Sequence, residues 1–208
     1  MNLFFRINEK MRFGVRNKIN RRRLKKKQIC LLADNCNGSL ILHDLGLQFN
    51  SPFVNLWLYP DDYIKYLKDI KHYMDCKLVF EKMDGISYPV AKLDDIRIFF
   101  MHYKTEEQAK TDWERRTKRI DLNDIWILMT EVNGCTMDMM KQFDELPYKH
   151  KVIFTHLKYP EIASSFYIKG FEKNNECGQL FRFIPHQFFG KRYYDRFDYV
   201  KWFNGSAG

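Results

Sequence analysis

The apolar runs of this chain are all short. The longest, Ile29 to Ala33 and Ile125 to Met129, hold five residues each, whereas a helix that spans a membrane needs about 20. Runs of this length bounded by polar turns predict strands buried on both faces of a sheet. The first is followed by Asp34-Asn-Cys-Asn-Gly-Ser39, and a helix is predicted to start near Ser39. Further strands are predicted at Lys77 to Glu81, Ile96 to His102, Ile125 to Thr130 and Val152 to His156, with weaker ones between Leu180 and Ile184. Helices fit the intervals. Pro60 precedes Asp61-Asp62 as at a helix start, with Tyr63, Leu67 and Ile70 continuing an apolar face. Thr105 and Gln108 form a capping-box pattern ahead of Trp113, Arg116 and Ile120, and the aromatic-rich Arg192 to Phe203 makes a last helix. Short strands alternating with helices imply a single α/β domain over residues 28–204, with a mixed, largely parallel sheet and helices on both faces. The spacing from Lys77 to Met101 allows antiparallel pairing there. Residues 205–208 read as a disordered tail.

Charge is unevenly spread. The 208 residues carry a net +9, yet residues 1–27 hold eleven Lys/Arg against Glu9 alone, which gives 11 − 1 = +10, and residues 28–208 sum to 24 − 25 = −1. The basic charge is an N-terminal feature. Within it Phe4, Ile7, Met11, Val15 and Ile19 recur at helical spacing, flanked by Arg12, Arg16, Arg22 and Lys26 and weakened by Gly14. A basic amphipathic helix can lie on an anionic membrane surface, here the inner face of the cell membrane. Alternatively the stripe packs on the body while Arg21 to Lys27 is solvated. Nucleic acid is the least favoured partner, because the body adds neither basic excess nor a recognisable binding motif. No signal peptide is apparent at Met1 to Phe5, and the expected location is cytoplasmic, peripheral at the inner membrane.

Cys30, Cys36, Cys76, Cys135 and Cys177 make no C-x-x-C pair and read as reduced thiols; the six histidines make no H-E-x-x-H. No metal is expected, and no motif specifies a cofactor. Dinucleotide-binding, P-loop and nucleophile-elbow signatures are missing, as is the D-x-D that metal-dependent sugar-nucleotide transferases commonly use.

What the sequence offers instead is polar residues at strand ends: Asp34-Asn35-Cys36, His102-Tyr103-Lys104, Glu131 and Thr155-His156. These groups converge on one pocket if the strands run parallel, because ligands of open α/β sheets bind outside the carboxyl ends. In the first loop Asn35, Gly38 and Ser39 lie at a helix N-terminus suited to a phosphate, carboxylate or oxyanion, and Gly38 would allow close backbone approach. His43, one turn beyond Ser39, is a candidate base, and Cys36 is a candidate nucleophile whose pKa the helix start would lower. His102 and Glu131 are the other candidate catalytic groups, with Tyr103 and Lys104 as ligand contacts. On the helix after His102, i,i+4 pairs account for Arg116 and Lys118 and leave Arg115 and Arg119, one turn apart, free to clamp an anionic donor.

Taken in order, Asp34-Asn-Cys-Asn-Gly-Ser39, His43-Asp-Leu-Gly-Leu47, Ser51-Pro-Phe-Val54, Asp62-Tyr-Ile-Lys65, Tyr88-Pro-Val90, Phe100-Met-His-Tyr103, Trp113-Glu-Arg-Arg116 and Phe197-Asp-Tyr-Val200 resemble the bacterial family catalogued as domain of unknown function nineteen-nineteen. Its members are often labelled exopolysaccharide biosynthesis proteins. The resemblance runs from about Ile29 to Asn204 and implies an α/β fold with a part in cell-surface polysaccharide assembly. The family's first loop typically reads Asn-Asn-Cys-Trp-Gly-Gly, from which Asp34, Asn37 and Ser39 depart. The function expected is a glycosyl- or acyltransferase acting on an anionic sugar-nucleotide, lipid-linked sugar or acyl donor. The alternative is a non-catalytic accessory protein that binds a polysaccharide intermediate or a glycosyltransferase.

Overall fold

The computed structural model describes residues 3–205. In chain order these form α1 (Leu3–Met11), a π-helical turn (Arg12–Arg16), α2 (Asn17–Arg23), β1 (Cys30–Ala33), α3 (Cys36–Leu45), α4 (Pro60–Lys68), α5 (Ile70–Asp75), β2 (Leu78–Glu81), β3 (Val90–Leu93) and β4 (Ile96–Phe99). There follow α6 (Glu106–Thr117), β5 (Ile125–Thr130), α7 (Met137–Asp144), β6 (His150–Thr155), β7 (Ser165–Tyr167), a 3-10 turn (Tyr193–Arg196) and α8 (Tyr199–Phe203).

The two longest apolar runs become neighbours: β1 and β5 pair in parallel, and the sheet continues through β6 and β7, all parallel, in the order β1-β5-β6-β7. Both faces of β1 are buried, and alternate residues serve different cores. Leu31 and Ala33 meet α3 and the C-terminal aromatics Tyr194, Phe197, Trp202 and Phe203. Cys30 and Leu32 meet α4, α6, α7 and the smaller sheet. The α/β class with helices on both faces is thus realised. The strands between Lys77 and Met101 do pair antiparallel, but as a separate three-stranded sheet, β2-β3-β4, rather than within the parallel one. A bridge ties that sheet in: Trp57 and Phe99 exchange backbone hydrogen bonds of 2.9 and 3.0 Å, and Leu58 N–H donates to the Asp34 carbonyl.

Some elements differ from expectation. Leu180 to Ile184 forms no strand, only a single bridge from Phe183 to Arg192. The fourth parallel strand is instead β7, three half-buried residues too short to show a pattern. The last helix is split, because Asp198 caps α8 afresh by accepting from Lys201 N–H. Residues 206–208 of the expected tail lie outside the described residues.

Of the two placements expected for the N-terminal stripe, packing on the body is not the one seen. The helix packs by its polar side: Asn8, Arg12, Asn17 and Asn20 are buried, while Ile7, Val15 and Ile19 of the apolar stripe are exposed. The π turn makes this possible, since its wider spacing sets Arg12 and Asn17, five residues apart, on one face. Both then reach the same carboxylate, Arg12 Nε donating to Asp44 Oδ2 at 2.9 Å and Asn17 Nδ2 to Oδ1 at 3.0 Å. Arg12 also pairs with Asp195 at 2.7 Å and donates to Tyr194 Oη. Gly190, at φ +62°, accepts from Arg12 Nη1 and donates to Asn8 Oδ1. A Cβ there would stand 2.5 Å from the Arg12 backbone nitrogen, so only glycine lets this loop touch the helix.

Candidate functional site

Parallel strands leave their carboxyl ends on one side, and there the molecule opens a cleft of about 380 Å³. One wall is the start of α3, with Asn35, Cys36 and Asn37; a second is the turn after β5, with Val132 and Asn133; a third is the segment from Glu176 to Phe181; Trp57 and Met101 complete it. The turn is built by Asn133 and Gly134, both at positive φ (56° and 77°), closed by Cys135 N–H donating to the Val132 carbonyl. Trp57 is stacked on Phe99 at 3.9 Å with its indole N–H toward Tyr88 Oη. Neither Lys nor Arg is among the described residues that line the cleft, and Glu176 is the only carboxylate.

The α3 end is held from below. Asn35 caps the helix by accepting from Asn37 N–H at 3.0 Å, and Asn37 Nδ2 reaches Thr130 Oγ1 on β5. Asp34 is fully buried: Oδ2 accepts from Thr130 N–H, while Oδ1 has no partner. Burial pushes this carboxyl up to about 8, despite the Thr130 amide. Burial, with the Asp34 charge added, also pushes the Cys36 thiol up to about 11. The expected lowering at the helix start is therefore corrected, because desolvation outweighs the helix dipole here. Gly38 faces inward, where a Cβ would meet Ala33 Cβ at 2.5 Å. It serves close packing of α3 on β1 rather than approach of an anion, and the buried Ser39 hydroxyl turns back to the Cys36 carbonyl.

Beneath the third wall Glu131 is buried and fully engaged. Its Oε2 accepts from His156 N–H and lies 2.7 Å from His156 Nδ1, and its Oε1 accepts from Tyr159 Oη. Its carbonyl accepts from Cys177 N–H at 2.8 Å, so it fixes the segment that carries Glu176 and Gln179.

The family model of a domain of unknown function, DUF1919, matches residues 7–204. The chain belongs to this family. A Haemophilus influenzae protein described as uncharacterized is 47% identical over 198 residues, covering 95% of this chain and 94% of its own length.

In this DUF1919 chain the sequence-predicted residues divide. Asn35 and Cys36 line the cleft, with Glu131 as support below it. His102 does not line it, although its neighbour Met101 does; His102 is exposed, its N–H donating to the Asn55 carbonyl. His43 is exposed on the outer side of α3 beside Phe13 and cannot serve the loop as a base. Tyr103 is a core residue that donates to the Val54 carbonyl and accepts from Arg116. Lys104 lies in a separate hollow against the loop between β2 and β3. Arg115 pairs with Asp112, which also takes Arg116. Arg119 donates to the Phe49 carbonyl near Cys30 and Asp124, at the amino ends of β1 and β5, so the two arginines form no clamp at the cleft.

The cleft residues that sequence reasoning missed are Trp57, Asn133, Glu176, Gln179 and Phe181. Asn133-Gly134, three residues beyond a predicted strand, was the one readable signal, being a turn pair suited to positive φ. Elsewhere, His72 on α5, Cys76 just after it and Asp94 in the turn after β3 bring three ligand atoms within 4.8 Å of one another. His72 and Asp94 already form an exposed pair at 2.8 Å, and none of the three lines the cleft.

Proposed function

We propose that the cleft holds the glycan part of a sugar-bearing donor or intermediate in cell-surface polysaccharide assembly. The observation that carries this reading is the lining: the amides of Asn35, Asn37, Asn133 and Gln179 beside the indole of Trp57, with no cation. Planar amides both donate and accept, which matches paired sugar hydroxyls, and an aromatic face suits the apolar C–H side of a pyranose. A diphosphate would find only the α3 start. The acyl-donor expectation loses support, because an acyl group presents no paired hydroxyls to these amides and no base among the described lining residues would hold its carrier.

Transfer is the first reading of the chemistry, with Glu176 as the base for an attacking hydroxyl. It is half-buried, and one oxygen accepts from Gly134 N–H. The accessory reading is favoured by the dispersal of His43, His102, Arg115 and Arg119 away from the cleft.

Calorimetric titration with N-acetylglucosamine oligomers, UDP-glucose and acetyl-CoA tests the assignment. The sugar probes should bind and perturb tryptophan fluorescence, and Trp57→Ala or Asn133→Ala should weaken binding by about tenfold or more in protein that remains folded at the titration temperature. Binding of acetyl-CoA alone, or sugar binding indifferent to both variants, would overturn it. Glu176→Gln separates the readings: a transferase keeps binding and loses roughly 10²- to 10⁴-fold in turnover, whereas an accessory protein has no turnover to lose.

A further inference from the structure

The N-terminal helix turns its polar residues inward and leaves Leu3, Phe5, Ile7, Phe13, Val15 and Ile19 between 37% and 69% exposed. The neighbouring loop adds Phe188 at 52% and Phe189 at 72%. This loop is tied to the helix at three points: Gly190 on Asn8 and Arg12, Arg16 Nε on the Phe189 carbonyl, and Phe188 edge-on to Phe4 at 5.6 Å. An apolar surface of this kind is uncommon on a monomer and marks an interaction face. It is not a packing failure, because Arg12 and Asn20 on the buried side of the same helix hydrogen-bond to Asp44, Asp195, Tyr194 and Tyr199.

Bases stand beside the apolar residues. Among the described residues Arg6, Lys10, Lys18, Arg22, Lys25 and Lys27 have no carboxylate partner, whereas Arg12, Arg23 and Lys26 do. No described helix is long and apolar enough to cross a membrane.

We propose that this face docks on an anionic lipid surface, with the exposed side chains entering the headgroup boundary and the unpaired bases meeting lipid phosphates. Such binding adds apolar burial to electrostatic attraction, and the helix supplies both. A second copy of the chain is a poorer occupant, because it would bring another strongly basic segment against the first. Nucleic-acid phosphates would leave Leu3, Phe188 and Phe189 without a role. The proposal does not depend on what the cleft holds. Phe181, which lines the cleft, lies two residues before Phe183, which packs on Phe5, so the docked face and the cleft share one segment of chain.

The test is co-sedimentation of the full chain with phosphatidylcholine vesicles, with and without phosphatidylglycerol. Parent protein should sediment only with the anionic vesicles. Phe13→Ser/Val15→Ser/Ile19→Ser and, separately, Phe189→Ser should each weaken binding about tenfold or more without lowering the melting temperature. Lys10→Glu/Lys18→Glu/Arg22→Glu should abolish it. Absence of sedimentation overturns the proposal, as does parent-like binding by both serine variants, which would mean charge attraction alone. A concentration-dependent dimer that both serine variants dissolve would overturn it in favour of a second copy.

Discussion

The two ends of α3 hold the same buried group in opposite states. Asp34, just before the helix, and Asp44, in its last turn, are each 1% exposed. Asp34 has one backbone donor and no cation, and burial raises it to about 8. At Asp44 burial acts in the same direction, but the hydrogen bond and charge of Arg12 outweigh it and hold the carboxyl below its usual range. The difference lies in the partner, not in the depth. One end of the helix is thereby closed by a charge network, and the other stays polar, nearly neutral and open as a cleft wall.

The sharpest way to break the contrast is to remove the cation. Arg12→Ala should leave Asp44 and Asp195 buried without it and cost about 3–5 kcal/mol in denaturant unfolding. Asp44 should then titrate upward, though less than Asp34, because Arg192 remains 3.7 Å from it. In the parent, the stability due to Asp44 is present above the ordinary carboxylate range and fades as pH falls through its lowered value.

Gly38→Val probes the cleft end. A Cβ already meets Ala33 at 2.5 Å, so the larger side chain should cost up to about 3 kcal/mol by overpacking, read as a lower melting temperature. An unchanged melt would return Gly38 to the role of an anion approach.

Asp34→Asn should make the two ends alike in charge independence. Between the unfolded value near 4 and the folded value of about 8, the native state keeps a proton that the unfolded chain has released, so parent stability falls as pH rises through this window. The amide can still accept from Thr130 N–H and has no such slope. Its gain should vanish at pH 4 and grow by up to about 1.4 kcal/mol per pH unit through this window, to several kcal/mol at pH 8. Smallest is the effect on Cys36: iodoacetamide labelling should be slow at neutral pH and accelerate toward pH 11, not level off below 7.

Legibility in the sequence followed pattern length. Ile125 to Thr130 was readable residue for residue as β5, and Pro60 as the start of α4, because a buried run and a helix-start proline carry local signals. β7 could not be read, since three residues carry no period. Among the site residues, Asn35 was legible as part of the loop before a helix, although α3 starts at Cys36 rather than near Ser39. Glu176 and Gln179 lie far along the chain from both other walls and are brought to the cleft by contacts such as Cys177 N–H to the Glu131 carbonyl and Gly134 N–H to Glu176, which no local pattern encodes. The N-terminal stripe was legible as periodic, but its sequence left open whether it faced the body or outward. Arg12 decided that orientation, and a buried arginine is recognisable only once Asp44 and Asp195 are seen to surround it.

The most direct test of the cleft assignment is amide chemical-shift mapping of the full chain titrated with N-acetylglucosamine oligomers. The account predicts that shifts cluster at Asn35 to Asn37, Asn133 and Glu176 to Phe181 and leave the amides around Lys104 and Arg119 unmoved. Shifts confined to those latter regions, or none at saturating sugar, would contradict it.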